Sequence, residues 1–289
     1  MTKKVFVVLS LALLLGVVQP VSVLAATSPT LGASKSFSVL GHTTVTNTGA
    51  TTMPGDLGIS IGGAPVGFPP GSVGPPGTIR NAADSLATQT DDTAAFGYID
   101  QGCDTTYSGT KDLVASNLVA GVYCAGAFTL SGTLTLNGTG VWIFKSASTL
   151  ITSGTANVVG GDPCSVWWRQ VSSAVLGTNT SLVGNILSST SISLQTGASL
   201  NGRAMAQTGA VTLDNNTITG TACLGAPIFS STSDTTGTTG TTSSGAVPKL
   251  PNTGIHSDGK SVVPWRIVVP SGVCAVLLLL YVVRKRRTA

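Results

Sequence analysis

Few side chains in this sequence could do acid–base, nucleophilic or metal chemistry. It has 5 cysteines, 11 aspartates, 2 histidines and no glutamate in 289 residues. A carboxylate pair for general acid–base work would have to come from Asp91-Asp92, because Asp162 and Asp214 stand alone. That pair sits in a helical pattern, on the side predicted to face water. His42 lies in an early strand region and His256 far towards the C-terminus. No C-x-x-C spacing or histidine cluster suggests a metal, and no G-x-S-x-G, H-E-x-x-H or phosphate loop appears. The chain therefore reads as a non-enzyme with no cofactor and no metal. Hydroxyl groups, by contrast, are abundant and regularly placed. Thr-x-x-Thr/Ser recurs at Thr48/Thr51, Thr152/Thr155, Thr178/Ser181 and Thr196/Ser199, with Asn215 and Thr217 following. Such rows offer a surface that orders water or meets another surface.

The elements that carry these rows repeat. Leu182, Leu200 and Ile218 are spaced by 18 residues, as are Gly184, Gly202 and Gly220, and Leu176, Leu194 and Leu213 follow closely. Within each unit the pattern alternates: Ile192 and Leu194 point one way, Ser191, Ser193 and Gln195 the other. A period of this length with little charge is the signature of a solenoid whose coils share one core. The register predicts Thr178, Thr196 and Asn215 in one column and Ser181, Ser199 and Thr217 in another, with Val175 and Val183 interrupting the outward ladders. Phe37 to Ser60 already resembles a coil. Residues 81 to 101 change period, and Asn81 is a helix N-cap. Ala83, Leu86, Ala87, Thr90, Ala94 and Tyr98 fall on one side of that helix, the side expected to pack on the solenoid. Trp142, Trp167 and Trp168 are expected as packing residues.

The termini speak of export. Lys3 and Lys4 precede the apolar run Val5 to Val18, and small residues follow, so 1–26 reads as a signal peptide. Export places Cys103, Cys124, Cys164 and Cys223 in an oxidising compartment. Four cysteines allow three pairings. Adjacency along the chain favours Cys103–Cys124 and Cys164–Cys223, with Cys274 left over. Between Thr27 and Thr253 there are seven Lys and Arg against ten Asp, a net of −3, which excludes a basic nucleic-acid footprint. A solenoid domain over 27–226 is followed by a Ser/Thr/Gly-rich linker over 227–249. Next come Leu250-Pro251-Asn252-Thr253-Gly254, an apolar span within 262–283 and the basic tail 284–289. This order resembles a cell-wall sorting signal of Gram-positive type. The resemblance implies cleavage between Thr253 and Gly254 by a sortase and transfer of Thr253 to a cell-envelope amine. Before sorting, the span would sit in the membrane.

The stretches LGASKSFSVLGHTTVTNTG, GDLGIS, GFPPG, LVAGVYC, SGTLTLNGTGVWIF, LVGNIL and NGRAMAQTGAVTLDNNTI carry a second resemblance. In this order, over roughly Leu31 to Cys223, they are similar to the bacterial and fungal ice-binding-protein family. The resemblance implies a mainly β fold: a discontinuous right-handed β-solenoid of triangular section with one long α-helix alongside. It implies that the partner is the surface of an ice crystal; the four exported cysteines and the absence of clustered ligands lead us to expect a disulfide-bonded monomer. The Thr-x-x-Thr/Ser rows resemble the Thr-Ala/Gly-x-Thr/Asn motif of active family members. The residues assigned to ice on that basis are Thr48, Thr51, Thr152, Thr155, Thr178, Ser181, Thr196, Ser199 and Thr217. The same residues suit turn geometry, and a surface adhesin or envelope protein of this fold would have the same composition.

Overall fold

Alternation of apolar and polar residues turns each coil into three short strands, one on each side of a triangle. The computed structural model describes residues 25–220. The linker, the LPNTG motif, the apolar span, the basic tail, Cys223 and nearly all of the signal segment lie outside the described residues. The chain first forms β1 (Phe37–Gly41), β2 (Val45–Thr48), β3 (Thr52–Met53), β4 (Asp56–Ile59) and β5 (Ser72–Val73), then helix α1 (Ala82–Tyr98). Six coils come next. They are β6 (Thr105–Thr106), β7 (Thr110–Asp112), β8 (Asn117–Leu118); β9 (Gly121–Ala125), β10 (Ala127–Leu130), β11 (Thr133–Leu136); and β12 (Trp142–Ser146), β13 (Leu150–Thr152), β14 (Asn157–Gly160). The last three are β15 (Val166–Gln170), β16 (Ala174–Leu176), β17 (Ser181–Val183); β18 (Asn185–Ser188), β19 (Ile192–Leu194), β20 (Ser199–Asn201); and β21 (Ala204–Ala206), β22 (Val211–Asp214), β23 (Thr217–Ile218).

All pairing is parallel, in three sheets. Sheet A runs β4-β1-β21-β18-β15-β12-β9-β6, sheet B runs β2-β22-β19-β16-β13-β10-β7, and sheet C runs β5-β3-β23-β20-β17-β14-β11-β8. The stack is out of chain order. The first coil to be made lies on the last, with Val39 beside Ala204, Val45 beside Val211 and Thr52 beside Thr217. Helix α1 makes this possible by carrying the chain to the far end of the stack. Its 17 residues span about 25 Å, most of the roughly 34 Å covered by eight strands ~4.8 Å apart. This is the discontinuous solenoid with one helix expected from the sequence.

Successive partners in sheet A explain why the repeat shows only in part of the sequence. Cys124, Lys145, Arg169, Leu187 and Met205 are neighbours in turn, so the coils are 21, 24, 18 and 18 residues long. The longer coils enclose the larger side chains. Tyr123, Phe144 and Trp168 stack inside, at centroid distances of 5.5 and 4.2 Å, and Phe128 meets Phe144 edge-on. Trp142, Trp167 and Trp168 are all buried, and each indole N–H has an acceptor: Leu118 O, Ser28 Oγ and Val183 O. The 18-residue coils close on Ala174, Ala198, Ala204 and Ala206 instead.

Gly184, Gly202 and Gly220 stack at the corner between sheets C and A. A Cβ on Gly202 would lie 1.8 Å from Gly184 O, and one on Gly220 would lie 2.0 Å from Gly202 O. Coil spacing is set by ladder hydrogen bonds, so this contact cannot open without breaking them. Gly202→Ala is expected to destabilise the domain by about 2–3 kcal/mol, the cost of overpacking a rigid site, read as a lower urea midpoint at unchanged slope. A midpoint equal to that of the unsubstituted protein would show that the corner yields.

Strands of sheet A are buried on both sides, because α1 and residues 26–31 cover the face turned away from the core. Helix α1 starts as expected: Asn81 Oδ1 accepts the Asp84 N–H at 2.9 Å, and Asp84 Oδ2 accepts from Asn81 Nδ2. Its far end is held by sheet A cations. Lys145 donates to Gln101 O and pairs with Asp100, while Arg169 donates to Phe96 O and lies 4.2 Å from the Phe96 ring.

The side of the helix that packs differs from expectation. Leu86 and Tyr98 are exposed, and the buried residues are Ser85, Thr88, Gln89, Asp92 and Ala95. Asp92, read as solvent-facing, is fully buried. Close approach decides this. A Cβ on Gly58 of β4 would lie 2.3 Å from Ser85 Oγ, so at that point only a small side chain fits between helix and sheet. The polar groups of the buried residues then pair across the interface. Asp92 Oδ2 accepts from Gln89 Nε2 and Gln207 Nε2, Ser60 donates to Gln89 Oε1, and His42 Nδ1 meets Ser60 Oγ at 2.9 Å.

Cys103 and Cys124 are joined, as adjacency suggested, tying the end of the helix region to β9. Cys164 is also disulfide-bonded.

Candidate functional site

The strands of sheet B place one central residue outward between two inward ones. Register puts Thr46, Thr212, Ser193, Val175, Ile151 and Thr129 in a single column, ending at Asp112. Two residues earlier in each strand's approach, backbone bonds align Thr44, Ala210, Ser191, Ser173, Thr149 and Ala127 in a second outward column. With seven strands ~4.8 Å apart, the two columns extend about 29 Å. Their side chains are small and, up to the end at Asp112, uncharged. Several hydroxyls are held in place: Ser173 Oγ and Thr190 Oγ1 are 2.8 Å apart, Ser191 N–H points at Ser173 Oγ, and Ala210 N–H donates to Ser191 Oγ at 3.1 Å. At the column's end, burial pulls the Asp112 carboxyl up. Hydrogen bonds from the Ser131 hydroxyl and the Val114 and Ser131 N–H groups outweigh this, and its pKa is lowered.

The residues singled out by the sequence fall into three places. Ser181, Ser199 and Thr217 do form one ladder, on sheet C, where Thr133, Asn157 and Thr52 extend it. Thr48, Thr178 and Thr196 are exposed at the corner between sheets B and C, and Thr155 is exposed in the same corner of another coil. Their column contains Asp214, which accepts a hydrogen bond from Thr196, and not Asn215. Asn215 aligns with Gly49, Gly197 and Asn179, all with φ between 50° and 77°, a row of left-handed turn residues. The offset arises because the corner after Leu213 is one residue short. Asn216 fills the gap, accepting the Asp214 N–H and donating to Gln195 O and Ala198 O.

Thr51 and Thr152 do not belong to any outward row, contrary to expectation. Both are buried, at 0% and 2% exposure, and neither can touch an external surface. Thr152 occupies the inward position that Leu176 takes in the next coil; its hydroxyl pairs with Thr180 and accepts the Gly177 N–H. Thr51 accepts the Asn216 N–H. Their spacing imitates the motif, but their hydroxyls satisfy a buried corner.

The Thr-x-x-Thr/Ser spacing points to the corners and so passes over the sheet B columns. A signal for those columns is nevertheless present. Ile192-Ser193-Leu194, Val211-Thr212-Leu213, Val45-Thr46-Asn47 and Phe128-Thr129-Leu130 each carry a hydroxyl between inward positions. Among the described residues no three His, Cys, Asp or Glu side chains converge on a metal-sized site, and no helix is long and apolar enough to cross a membrane.

A discontinuous, triangular β-solenoid with a covered sheet A and open hydroxyl ladders is the class this fold and face define. The chain belongs to the Ice-binding-like family, whose model matches residues 39–219. It is 39% identical over 213 residues to an ice-binding protein of Nostoc sp. strain HG1, covering 70% of this chain and 78% of that one. An ice-binding protein of Flavobacterium frigoris strain PS1 is 30% identical over 210 residues, 65% and 75% of the two chains. Among solved structures, the ice-binding protein of the Antarctic ascomycete Antarctomyces psychrotrophicus is 36% identical with a TM-score of 0.63, over 67% of this chain and 98% of that one. An ice-binding protein from an Antarctic biological consortium gives 33% and 0.64, over 70% and 96%.

Proposed function

We propose that this protein binds ice through the outward face of sheet B. The observation that carries the reading is the pair of adjacent, uncharged columns in register, Thr46-Thr212-Ser193-Val175-Ile151-Thr129 beside Thr44-Ala210-Ser191-Ser173-Thr149-Ala127. A crystal surface rewards many weak contacts repeated at one spacing, and a solenoid supplies that spacing through its backbone ladder. Methyl groups of Thr, with Val175 and Ile151, exclude loosely held water; the hydroxyls anchor what remains. Hydroxyls already pinned by neighbours lose less freedom when they meet the lattice, which favours sheet B. Among the described residues the sheet C ladder has one such bond, Ser199 Oγ to Thr180 O at 3.4 Å, against three on sheet B at 2.8, 3.4 and 3.1 Å. Purified residues 27–249 are expected to produce thermal hysteresis and to be taken up into a growing ice hemisphere. Absence of both would favour an adhesin of the same fold.

The protein acts outside the cell, as a monomer, and is delivered there by the signal segment 1–26. LPNTG, the apolar run and the Arg284-Lys285-Arg286-Arg287 tail support covalent attachment to the envelope through Thr253. Digests of envelope material from the native host should yield a peptide that ends at Thr253 and carries an envelope fragment. Chains recovered only with Ala289 intact would instead mean retention by a membrane span.

A further inference from the structure

A groove of about 1270 Å³ follows the corner between sheets C and A, beside residues 27–32. Leu31, Val119, Val141 and Trp167 give it apolar walls, and Asn185 and Arg203 line one end. Arg203 is fully buried, its guanidinium donating to Lys35 O and Asn185 Oδ1. These bonds use three of its five N–H groups and leave one on each terminal nitrogen. Both acceptors are neutral. Lys145 and Arg169 of sheet A share Asp100, but among the described residues no carboxylate pairs with Arg203. Burial alone pulls its pKa down to about 10. A buried cation without a counter-charge is costly, and this one lies against an open groove.

We propose that the groove binds a free long-chain carboxylic acid, with its carboxylate on Arg203 and its acyl chain along the corner towards Val119. A carboxylate supplies the missing counter-charge and accepts from the planar guanidinium with a charge-assisted bond. Charge also fixes the direction. Arg203 and Lys35 lie at one end, while Asp162 and Asp104 line the groove further along and repel a second negative group. Length agrees. Arg203 precedes β21 and Val119 precedes β9, four ladder steps apart in sheet A, or about 19 Å. An acyl chain that fills one leaflet of a bilayer is about 15 Å long. Val119 is 65% exposed, an apolar side chain that the end of such a chain would cover. The opposite wall is held in place, because Ser28 Oγ accepts from Trp167 Nε1 at 3.1 Å. None of this depends on what sheet B binds.

Titration calorimetry on the full secreted chain tests it, with palmitate as the probe. Palmitate should bind at one site per chain. Hexadecanol, of the same length without the charge, should bind about ten-fold or more weakly, the worth of one hydrogen bond to a charged group. Arg203→Gln should reduce palmitate to the affinity of hexadecanol. Arg203 also holds Lys35 O, so a second variant leaves it in place. Val119→Asp, on an exposed side chain, should weaken palmitate by about ten-fold or more and leave the melting temperature unchanged. No saturable binding of palmitate would overturn the proposal. So would equal affinities for palmitate and hexadecanol, or a Val119→Asp chain that binds palmitate like the parent. Sedimentation with anionic phosphatidylglycerol vesicles, lost in Val119→Asp and without uptake of free palmitate, would assign the groove to a bilayer lipid and overturn it too.

Discussion

Thr212→Tyr is expected to lower the thermal hysteresis of residues 27–249 by about ten-fold or more, the scale seen when a key contact in an interface is lost. Thr212 is exposed on the second strand of the sheet B column, between Thr46 and Ser193. A tyrosine ring there stands above its neighbours and holds both columns off a flat lattice. Thr212→Val keeps the shape and the methyl group and should retain most activity, because adsorption sums many contacts and loses one hydroxyl. Both changes are on the surface and should alter folding stability by no more than about 0.5 kcal/mol, which circular dichroism melts would verify. Ser199→Tyr, on the sheet C ladder, is the matched control and should remain active. If Ser199→Tyr lost activity while Thr212→Tyr kept it, the contact face would be sheet C. Thr196→Tyr should have an intermediate effect. Its side chain projects from the corner and is already committed to Asp214.

Raising the pH from 4 to 8 should destabilise the domain, and Asp92→Asn should remove most of that dependence. Asp92 is buried under α1, with Oδ2 accepting from Gln89 and Gln207 and Oδ1 unpaired. Burial pushes its pKa up to about 7, although the two amide donors pull it down. In the unfolded chain it returns to 3.8. Below both values folded and unfolded chains are protonated alike, and the folded state carries no penalty. As pH rises between them the unfolded chain releases its proton while the folded one retains it, so stability falls. Above about 7 the penalty is complete, on the order of 4 kcal/mol.

Three carboxyls have the opposite sign. For Asp56, burial raises the pKa, but bonds from Arg80 and Thr78 outweigh it. Asp100 is lowered first by Lys145, and at Asp112 the bonds from Ser131 and Val114 overcome burial. Their contributions are lost only on acidification below about pH 4, so the pH dependence nearer neutrality belongs to Asp92. For a domain of this size the expected fall in Tm between pH 4 and 8 is roughly 8–16 °C. Asp92→Asn keeps an acceptor for Gln89 and Gln207 and cannot ionise, so its Tm should be nearly flat over that range and higher than the parent's at pH 8. A parent Tm already flat from pH 4 to 8 would mean that water or local opening reaches the carboxylate.

Features that depend on local periodicity are legible in the residues alone. Leu182, Leu200 and Ile218 announce stacked coils of equal length, and Ile192-Ser193-Leu194 announces which residues point outward. Asn81 announces the start of the one helix. Abundant hydroxyls and scarce charge already limit the site to a surface. Contacts between residues far apart in the chain become visible only in three dimensions. The seating of β1 on β21 joins Val39 to Ala204, which no local pattern encodes. The packing side of α1 is set by Gln207 reaching Asp92 and by the tight approach of Gly58, so a weakly amphipathic helix turns its small polar side inward. Thr51 and Thr152 repeat a surface motif, yet a buried corner needs their hydroxyls. A single missing residue after Leu213 moves Asn215 out of the column its spacing implies. In a solenoid the period reports which side chains are equivalent. Which equivalent set stays open to water is settled by what the rest of the chain lays over each sheet.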